Sequence, residues 1–162
     1  MHPLALEILK KHWGYEQFRP AQEPIVTSIL EGKDTLAMLP TGGGKSICFQ
    51  VPAMVKKGVC LVISPLISLM EDQVKNLSEH GIPALALTGS IPYYEIERLM
   101  HNVQHEAYKF LYLSPERLAN EEVIFYLKNT PLNYIVIDEA HCISHWGKDF
   151  RPAYLACKNL RE

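Results

Sequence analysis

The 162-residue sequence lacks the features that mark several common classes of protein. It has four cysteines but no Cys-X-X-Cys pair, which argues against a zinc ribbon. No apolar stretch approaches the length of a membrane span. The net charge of -2 gives no support for nucleic-acid binding, and no run of Lys or Arg indicates a local basic stripe, although such a stripe stays open. No signal peptide is evident, so we expect reduced thiols in the cytoplasm, or in a nucleus if the source has one.

Repeats, low-complexity tracts and Gly/Ser linkers are also absent, and the length suits one domain. Continuous apolar runs predict five strands buried on both faces: TLAML (35–39), VCLVI (59–63), ALAL (84–87), KFLYL (109–113) and YIVID (134–138). Apolar residues spaced by three and four predict helices at 66–77 and 96–103, and a further helix is predicted at 21–31, ended by Gly32. This alternation predicts an α/β fold, a parallel sheet with helices on both faces. Such sheets bind ligands at the carboxyl ends of their strands.

The strongest single motif is LPTGGGKS (39–46), in which a Gly-rich turn joins an apolar run to a Lys-Ser pair that opens a helix. Glycines let backbone N–H groups approach phosphate oxygens, and a helix N-terminus attracts negative charge. We expect Lys45 to reach the β- and γ-phosphates of a nucleotide and the Ser46 hydroxyl to ligate Mg²⁺. Leu39 stands where the general pattern has its first glycine. The alternative is a turn that is needed only for chain geometry.

The segment YIVIDEAH (134–141) supplies two acids at the end of a predicted strand. We expect Asp138 to hold Mg²⁺ through water and Glu139 to orient and deprotonate the attacking water. On its own, such a strand end is more often a pair of solvated acids. Together with Lys45 and Ser46 upstream, the two acids predict nucleotide hydrolysis.

The stretch HWGYEQFRPAQ (12–22) offers side chains that suit recognition of a base. Tyr15 and Arg19 are able to flank a flat ring, and the Gln22 amide can donate and accept at an adenine edge. Spacing alone favours the alternative, in which the aromatic residues only pack on the core: Trp13, Tyr15 and Phe18.

The sequence resembles the first RecA-like domain of a RecQ-family DNA helicase, within helicase superfamily two. Five segments in the family's order carry the resemblance: GYEQFRPAQ (14–22), LPTGGGKS (39–46), VISPLISLMEDQV (62–74), YLSPERL (112–118) and DEAHCISHWGKDFRPAY (138–154). The last is highly specific, because other DEAH-type helicases lack its aromatic-rich part. The resemblance implies a P-loop NTPase fold, ATP and Mg²⁺ as cofactors, and hydrolysis coupled to single-stranded DNA in repair or recombination.

The resemblance also implies roles for individual residues. Adenine would be held by three side chains: Tyr15, Arg19 and Gln22. The phosphates and Mg²⁺ would be held by the loop and the helix start: Thr41, Gly42, Gly43, Gly44, Lys45 and Ser46. Asp138 and Glu139 would handle metal and water, and His141 would link the nucleotide to the DNA-sensing parts.

A DNA-facing surface is implied as well. The segment 144–151 matches the family's aromatic-rich loop, in which Trp146 and Phe150 would stack on bases and Arg151 would pair with phosphate.

The segment SPLISLMEDQV (64–74) lies along DNA in the family, so Ser64 and Ser68 are expected to donate to backbone phosphates. The resemblance alone nominates Ser-Pro-Glu-Arg (114–117) for DNA contact. Without it, those four residues predict only a turn and the start of a helix.

A RecQ helicase continues with a second RecA-like domain that carries an arginine finger, and zinc-binding and winged-helix regions commonly follow. None of these lies within the 162 residues, so we expect an incomplete domain, which would be marginally stable, rearranged or domain-swapped if these residues were the whole molecule. Two alternatives remain, a nucleotide- or DNA-binding module without turnover and an RNA-directed DEAH helicase. A metal site at His141, Cys142 and His145 is a weaker interpretation, because no fourth ligand has motif spacing.

Replacement of Trp146 by Ala in the intact helicase is expected to spare ATP binding and to uncouple hydrolysis from DNA, because the indole face no longer stacks on a base. Nucleotide affinity and steady-state ATPase rates with and without single-stranded DNA measure the two effects. If the basal and the stimulated rates both stay normal, the segment serves only packing.

Overall fold

The computed structural model describes residues 2–39, 44–88, 91–105, 107–118 and 120–138. The chain divides into two compact units, residues 1–57 and residues 58–162. Over the described ranges, no helix is long and apolar enough to cross a membrane.

Helices dominate the first unit. Its elements are α1 (Pro3–Ile8), a π-helical turn (Leu9–Trp13), α2 (Glu23–Leu30) and α3 (Lys45–Val55). Proline stands in the first turn of both α1 and α2, where its missing N–H costs no helical hydrogen bond. Helices α1 and α2 both pack on α3. The core between them contains five buried side chains: Ala5, Leu9, Phe18, Val26 and Val51.

A four-stranded parallel sheet forms the centre of the second unit. Its strands are β1 (Val59–Ile63), β2 (Ala84–Leu87), β3 (Phe110–Leu113) and β4 (Leu132–Ile137), in the spatial order β2–β3–β1–β4. The connections contain α4 (Ile67–Glu79), α5 (Tyr93–Gln104), α6 (Pro115–Leu118) and α7 (Glu121–Lys128). The central strand β1 pairs with β3 on one side and β4 on the other. Helical crossovers of this kind are what parallel pairing requires.

Both faces of the sheet are covered by helices. One face carries Leu61 and Leu111 in a cluster with buried residues of α5, α6 and α7. From the opposite face, the Tyr112 hydroxyl donates a hydrogen bond of 2.7 Å to Gln73 Oε1 of α4. Because side chains alternate along a strand, α4 lies on the face opposite α5 to α7. Each fully buried leucine stabilises such a fold by roughly 1.5–3 kcal/mol relative to an exposed one.

Most of the elements predicted from the sequence are confirmed. Four of the five predicted strands are present as β1 to β4, and the predicted helices correspond to α2, α4 and α5. The parallel sheet with helices on both faces is also confirmed. Helix α7 was not predicted, and its start is fixed locally, because Asn120 Oδ1 accepts the N–H groups of Glu122 and Val123 at 2.9 and 3.3 Å.

The predicted strand at 35–39 is wrong. The segment has no strand assignment, and Leu36 and Met38 are 82% and 87% exposed. An apolar run becomes a strand only when a neighbouring strand satisfies its backbone N–H and C=O groups. Residues 35–39 are in no ladder of the part of the chain that the structure describes. The apolar pattern is therefore present here without the pairing.

Gly58, directly before β1, lies close to the backbone at the start of β4. Its φ is 106°, a conformation that side-chain-bearing residues rarely adopt. A Cβ on Gly58 would lie 2.6 Å from the carbonyl oxygen of Pro131 and 3.2 Å from the backbone nitrogen of Asn133. The next residue, Val59, donates its N–H to the same Pro131 oxygen at 2.8 Å. The absence of a side chain lets the two strands begin side by side.

Substitution Gly58→Ala is expected to lower the free energy of unfolding by about 2–5 kcal/mol, from about 1–2 kcal/mol for the backbone conformation and about 1–3 kcal/mol for the steric overlap. The matched control is Gly81→Ala, because Gly81 also has a positive φ of 78° but nothing within 4 Å of its Cβ position. Urea unfolding followed by circular dichroism measures both variants. Equal losses of stability would contradict a steric role for Gly58.

Candidate functional site

The start of α3 carries the residues predicted to hold phosphate. Gly44 precedes the helix in the left-handed conformation, with φ 74° and ψ 31°. Lys45 and Ser46 are the first two helical residues, and both are partly buried. The backbone N–H groups of a first helical turn have no intrahelical acceptors, and they suit an anion. The preceding loop residues lie outside the described residues: Thr41, Gly42 and Gly43.

Gln22 ties the predicted base-binding stretch to this helix start. Its side chain is buried, with 4% exposed. The Oε1 atom accepts the backbone N–H of Arg19 at 2.8 Å, and Nε2 donates to the carbonyl oxygen of Gly44 at 3.0 Å. Because one end of the amide accepts and the other donates, the two bonds fix its orientation. The residues before α2 and the residues before α3 are thus held together by one side chain.

Cys48 donates to the same carbonyl group. Its Sγ lies 3.7 Å from the oxygen of Gly44. Burial raises the pKa of the Cys48 thiol to about 11, so the thiol is protonated at neutral pH and serves as a weak donor. Burial also raises the pKa of the Cys60 thiol. Both cysteines are free, and they behave as small apolar side chains.

The aromatic residues near Gln22 do not share one environment. Phe18 is 3% exposed and Trp13 packs on the same core, as the packing alternative predicts. Tyr15 is 53% exposed, and Arg19 is also exposed. The interpretation of the whole stretch as core packing is therefore wrong for Tyr15. Adenine binding by Tyr15, Arg19 and Gln22 stays a prediction. Gln22 uses one donor and one acceptor of its amide within the protein.

In the second unit, every strand is followed at once by a buried polar residue. These residues are 1–5% exposed: Ser64, Thr88, Ser114 and Asp138. The carboxyl ends of parallel strands meet at one edge of a sheet, so the four residues lie along the same edge. The sequence-predicted acid Asp138 belongs to this row.

Ser64 does not have the environment predicted for it. Its side chain is 1% exposed, and its Oγ accepts the backbone N–H of Leu66 at 3.3 Å. A contact with a DNA phosphate requires an accessible hydroxyl, so this burial argues against the predicted role. In the structure, Ser64 stabilises the turn that leads into α4. Ser68, in the first turn of α4, is exposed, and its contact with DNA stays a prediction.

Asp138 is buried beside α4. Its backbone N–H donates to the carbonyl oxygen of Ile63 at 2.9 Å, which extends the pairing of β4 with β1 by one residue. Its Oδ2 lies 3.4 Å from Gln73 Nε2, and Gln73 Oε1 accepts the hydroxyl of Tyr112 at 2.7 Å. A carboxylate at a strand end and a serine hydroxyl at a helix start are the oxygen ligands that Mg²⁺ prefers. The donor types of Asp138 and Ser46 therefore fit the predicted metal.

Arg117 has a role that the sequence did not reveal. Its Nη2 donates to the carbonyl oxygens of Thr88 and Ile91 at 3.0 and 2.7 Å, and its Nε also donates to Thr88 at 3.2 Å. The guanidinium therefore holds the two ends of the segment after β2. These bonds oppose the use of the Arg117 head group for DNA contact, because they engage two of its three nitrogens.

The remaining predicted site residues lie outside the described residues: Glu139, His141, Trp146, Phe150 and Arg151. Their roles stay predictions. Within the described ranges, no group of three or more His, Cys, Asp or Glu side chains is arranged to hold a metal ion.

A family model described as DEAD/DEAH box helicase matches residues 19–161. The chain belongs to the DEAD/DEAH box helicase family. Membership implies the use of a nucleotide. The match includes the segment of Gln22 and the start of α3, and it extends through the strand that ends before Asp138.

This DEAD/DEAH box helicase domain is similar to curated helicases of the RecQ type. It is 48% identical over 157 residues to "Probable ATP-dependent DNA helicase RecS" of Bacillus subtilis (strain 168), and that alignment covers 96% of this chain and 31% of the relative. It is 44% identical over 157 residues to ATP-dependent DNA helicase RecQ of Synechocystis, covering 96% of this chain and 33% of the relative. The chain thus spans about a third of the length of these relatives. The RecQ resemblance is confirmed.

Two solved structures have the same fold. The crystal structure of the DUF1998 helicase MrfA bound to DNA and AMPPNP has a TM-score of 0.69 at 20% identity, covering 87% of this chain and 21% of that chain. A hypothetical ATP-dependent RNA helicase from Sulfolobus tokodaii has a TM-score of 0.70 at 18% identity, covering 98% of this chain and 46% of that chain. At these identities the likeness shows the fold alone, that of a RecA-like helicase domain.

Substitution Gly44→Ala is expected to weaken nucleotide binding about three- to tenfold. A Cβ at Gly44 would overlap Gln22 Nε2 and displace the amide from its hydrogen bond. Such a bond contributes about 0.5–1.5 kcal/mol. The matched control is Gly32→Ala, in the same unit, because Gly32 has a φ of 79° and nothing within 4 Å of its Cβ position. Because both variants carry similar backbone strain, a difference between their thermal unfolding temperatures measures the effect of displacing the Gln22 amide. Equal nucleotide affinities in a fluorescence titration would contradict a role for the Gln22–Gly44 contact.

Proposed function

We propose that this chain is the ATP-binding part of a RecQ-type DNA helicase, which binds Mg²⁺-ATP and hydrolyses it in response to single-stranded DNA. The observation that carries the nucleotide part is the bond between Gln22 and Gly44, which links the predicted adenine-binding stretch to the predicted phosphate-binding turn. The choice of DNA is supported by the identity of 44–48% with relatives that are named DNA helicases.

The first unit supplies the groups that would hold the nucleotide. Gln22 is fixed at both ends of its amide, and each end has a second hydrogen-bonding position that these two bonds do not use. Tyr15 is exposed and offers a ring face for stacking. Lys45 and Ser46 stand where the dipole of the eleven-residue helix α3 favours phosphate. In this proposal, residues 15–22 contact the base and residues 41–46 contact the phosphates.

The second unit supplies the group that would handle the metal. Asp138 is the proposed partner of Mg²⁺ in this unit, and Glu139 is the proposed base for the attacking water. Bound Mg²⁺ would neutralise charge that develops on the phosphates during hydrolysis. The burial of Asp138 supports this assignment, since a carboxylate held in a water-poor site interacts more strongly with a cation than a solvated one does.

The DNA-directed part of the proposal rests on the family resemblance. Ser68 at the start of α4 would contact the DNA backbone, and the aromatic-rich loop would report bound DNA through two aromatic rings: Trp146 and Phe150. Strand separation would use a second RecA-like domain that supplies an arginine finger, as the family resemblance implies. The chain itself spans about a third of the length of its curated relatives. Such an enzyme would act wherever the genome lies, in the cytoplasm or a nucleus.

The proposal predicts different losses for two substitutions. Lys45→Ala is expected to weaken nucleotide binding and to lower the DNA-stimulated ATPase rate by about a hundredfold or more, because it removes a charge aimed at the phosphates. Glu139→Gln is expected to keep binding and to lower the rate by about 10²- to 10⁴-fold, because only the base is lost. Steady-state ATPase assays with single-stranded DNA, with RNA and without nucleic acid measure these effects.

A control is available on the same unit. Lys33 is exposed, and its Nζ lies 2.7 Å from Glu31 Oε2. Lys33→Ala removes a lysine without changing the start of α3, so this variant should keep the full ATPase rate. Tight ATP binding without turnover under all conditions would favour the binding module over the enzyme. Stimulation by RNA equal to that by DNA would favour the RNA-directed alternative.

A further inference from the structure

Gln73 is a polar residue in an apolar position. It lies in α4 three residues after Met70 and four before Leu77, which are 1% and 0% exposed. Residues at these spacings share one face of a helix, so Gln73 faces the sheet together with the core side chains. A polar group in such a position costs stability unless hydrogen bonds compensate for its burial. Gln73 has two such bonds, and both partners lie on strands of the sheet or directly after them.

The two bonds determine which end of the Gln73 amide faces Asp138. The Tyr112 hydroxyl donates to Oε1 at 2.7 Å, which is a short and well-formed bond. The Asp138 carboxylate accepts from Nε2 at 3.4 Å. In the flipped orientation, the amide oxygen would face an ionised carboxylate, and two acceptors would oppose each other. Tyr112, which is fully buried, therefore fixes the donor end of Gln73 toward Asp138.

A neutral donor suits a carboxylate that has to bind a cation. A lysine or arginine in this position would neutralise the charge of Asp138 and compete with the metal. The amide leaves that charge unchanged and restrains the rotation of the carboxylate plane, which is otherwise broad for an aspartate. Carboxylates that ligate metals are held by hydrogen bonds of this kind.

We propose that Gln73 is a positioning residue that holds the Asp138 carboxylate in the orientation in which it takes Mg²⁺, and that Tyr112 keeps the Gln73 amide in register. This inference rests on the proposed function, because it assigns Asp138 to the metal. It gives α4 a part in the metal site in addition to its place in the sheet packing. The chain Tyr112–Gln73–Asp138 connects β3, α4 and the end of β4.

The test compares Gln73→Met with Gln104→Met in the 162-residue chain. Methionine keeps the length of the side chain and removes both amide bonds. Gln104 is the matched control, because its Nε2 donates to the Tyr126 carbonyl oxygen at 3.3 Å, a bond of similar length on α5. The measurement is a Mg²⁺ titration of the binding of a fluorescent ATP analogue, with thermal unfolding of both variants.

The Mg²⁺ concentration for half-maximal binding should rise about tenfold in Gln73→Met, the lower end of the range for partners of metal ligands. It should stay unchanged in Gln104→Met, and binding of the analogue in EDTA should be equal in all forms. Tyr112→Phe keeps Gln73 but removes the bond that orients it, so a smaller rise in the same direction is expected. This variant also tests the proposal if Gln73→Met does not fold.

A second readout needs no nucleotide. In ¹H–¹⁵N spectra, the side-chain amide signal of Gln73, assigned by its loss in Gln73→Met, should move in Asp138→Ala and in Tyr112→Phe but not in Gln104→Met. If the Gln73 side-chain signal does not move in Asp138→Ala, the contact between Gln73 and Asp138 is overturned. Equal Mg²⁺ dependence of Gln73→Met and wild type would overturn the positioning role alone. Failure of the wild-type chain to bind the analogue with Mg²⁺ would overturn the proposed function, and the positioning role with it.

Discussion

Parallel pairing of four strands is the constraint on which the second unit depends. Parallel strands bury both of their faces and bring their carboxyl ends to one edge of the sheet. The residue after each strand therefore lies at that edge, and in all four cases it is polar and buried: Ser64, Thr88, Ser114 and Asp138. A buried polar group without a partner costs about 1–3 kcal/mol. Other elements bring hydrogen bonds to two of these side chains, Ser64 and Asp138.

Those hydrogen bonds come from the helical connections that parallel pairing itself requires. The turn into α4 satisfies the Ser64 hydroxyl through a backbone N–H, and α4 then brings Gln73 to the Asp138 carboxylate. The short helix α6 brings Arg117 to the backbone after β2. The crossover helices thus have two functions, since they cover the faces of the sheet and complete its polar edge. An apolar replacement at Gln73 or Arg117 would keep the first function and remove the second.

The sequence predicted what depends on neighbours along the chain and missed what depends on neighbours across the fold. Continuous apolar runs predicted β1 to β4, and the expected burial on both faces holds for the inner strands β1 and β3. The outer strands β2 and β4 are partly exposed. The run at 35–39 has the same local pattern, and no pattern of this length reports whether a partner strand is paired with it. Gln22 was predicted from its segment, but its bond to Gly44, 22 residues away, was not. Gln73 was missed altogether, because its partner Asp138 is 65 residues distant.

In each of the two units, a glutamine amide holds a group of the predicted site in place. Gln22 holds the residue before Lys45, and Gln73 holds the carboxylate of Asp138. In both cases the amide accepts at one end and donates at the other, so the surrounding groups specify a single orientation. The amide adds no charge, so the charges of Lys45, proposed to bind phosphate, and of Asp138, proposed to bind metal, stay undiminished for a ligand. Glutamine is long enough to reach from a helix or turn to a neighbouring element while its own stem stays in the core. Asparagine would keep the two-ended amide but lose that reach, and glutamate would lose the donor that both contacts require.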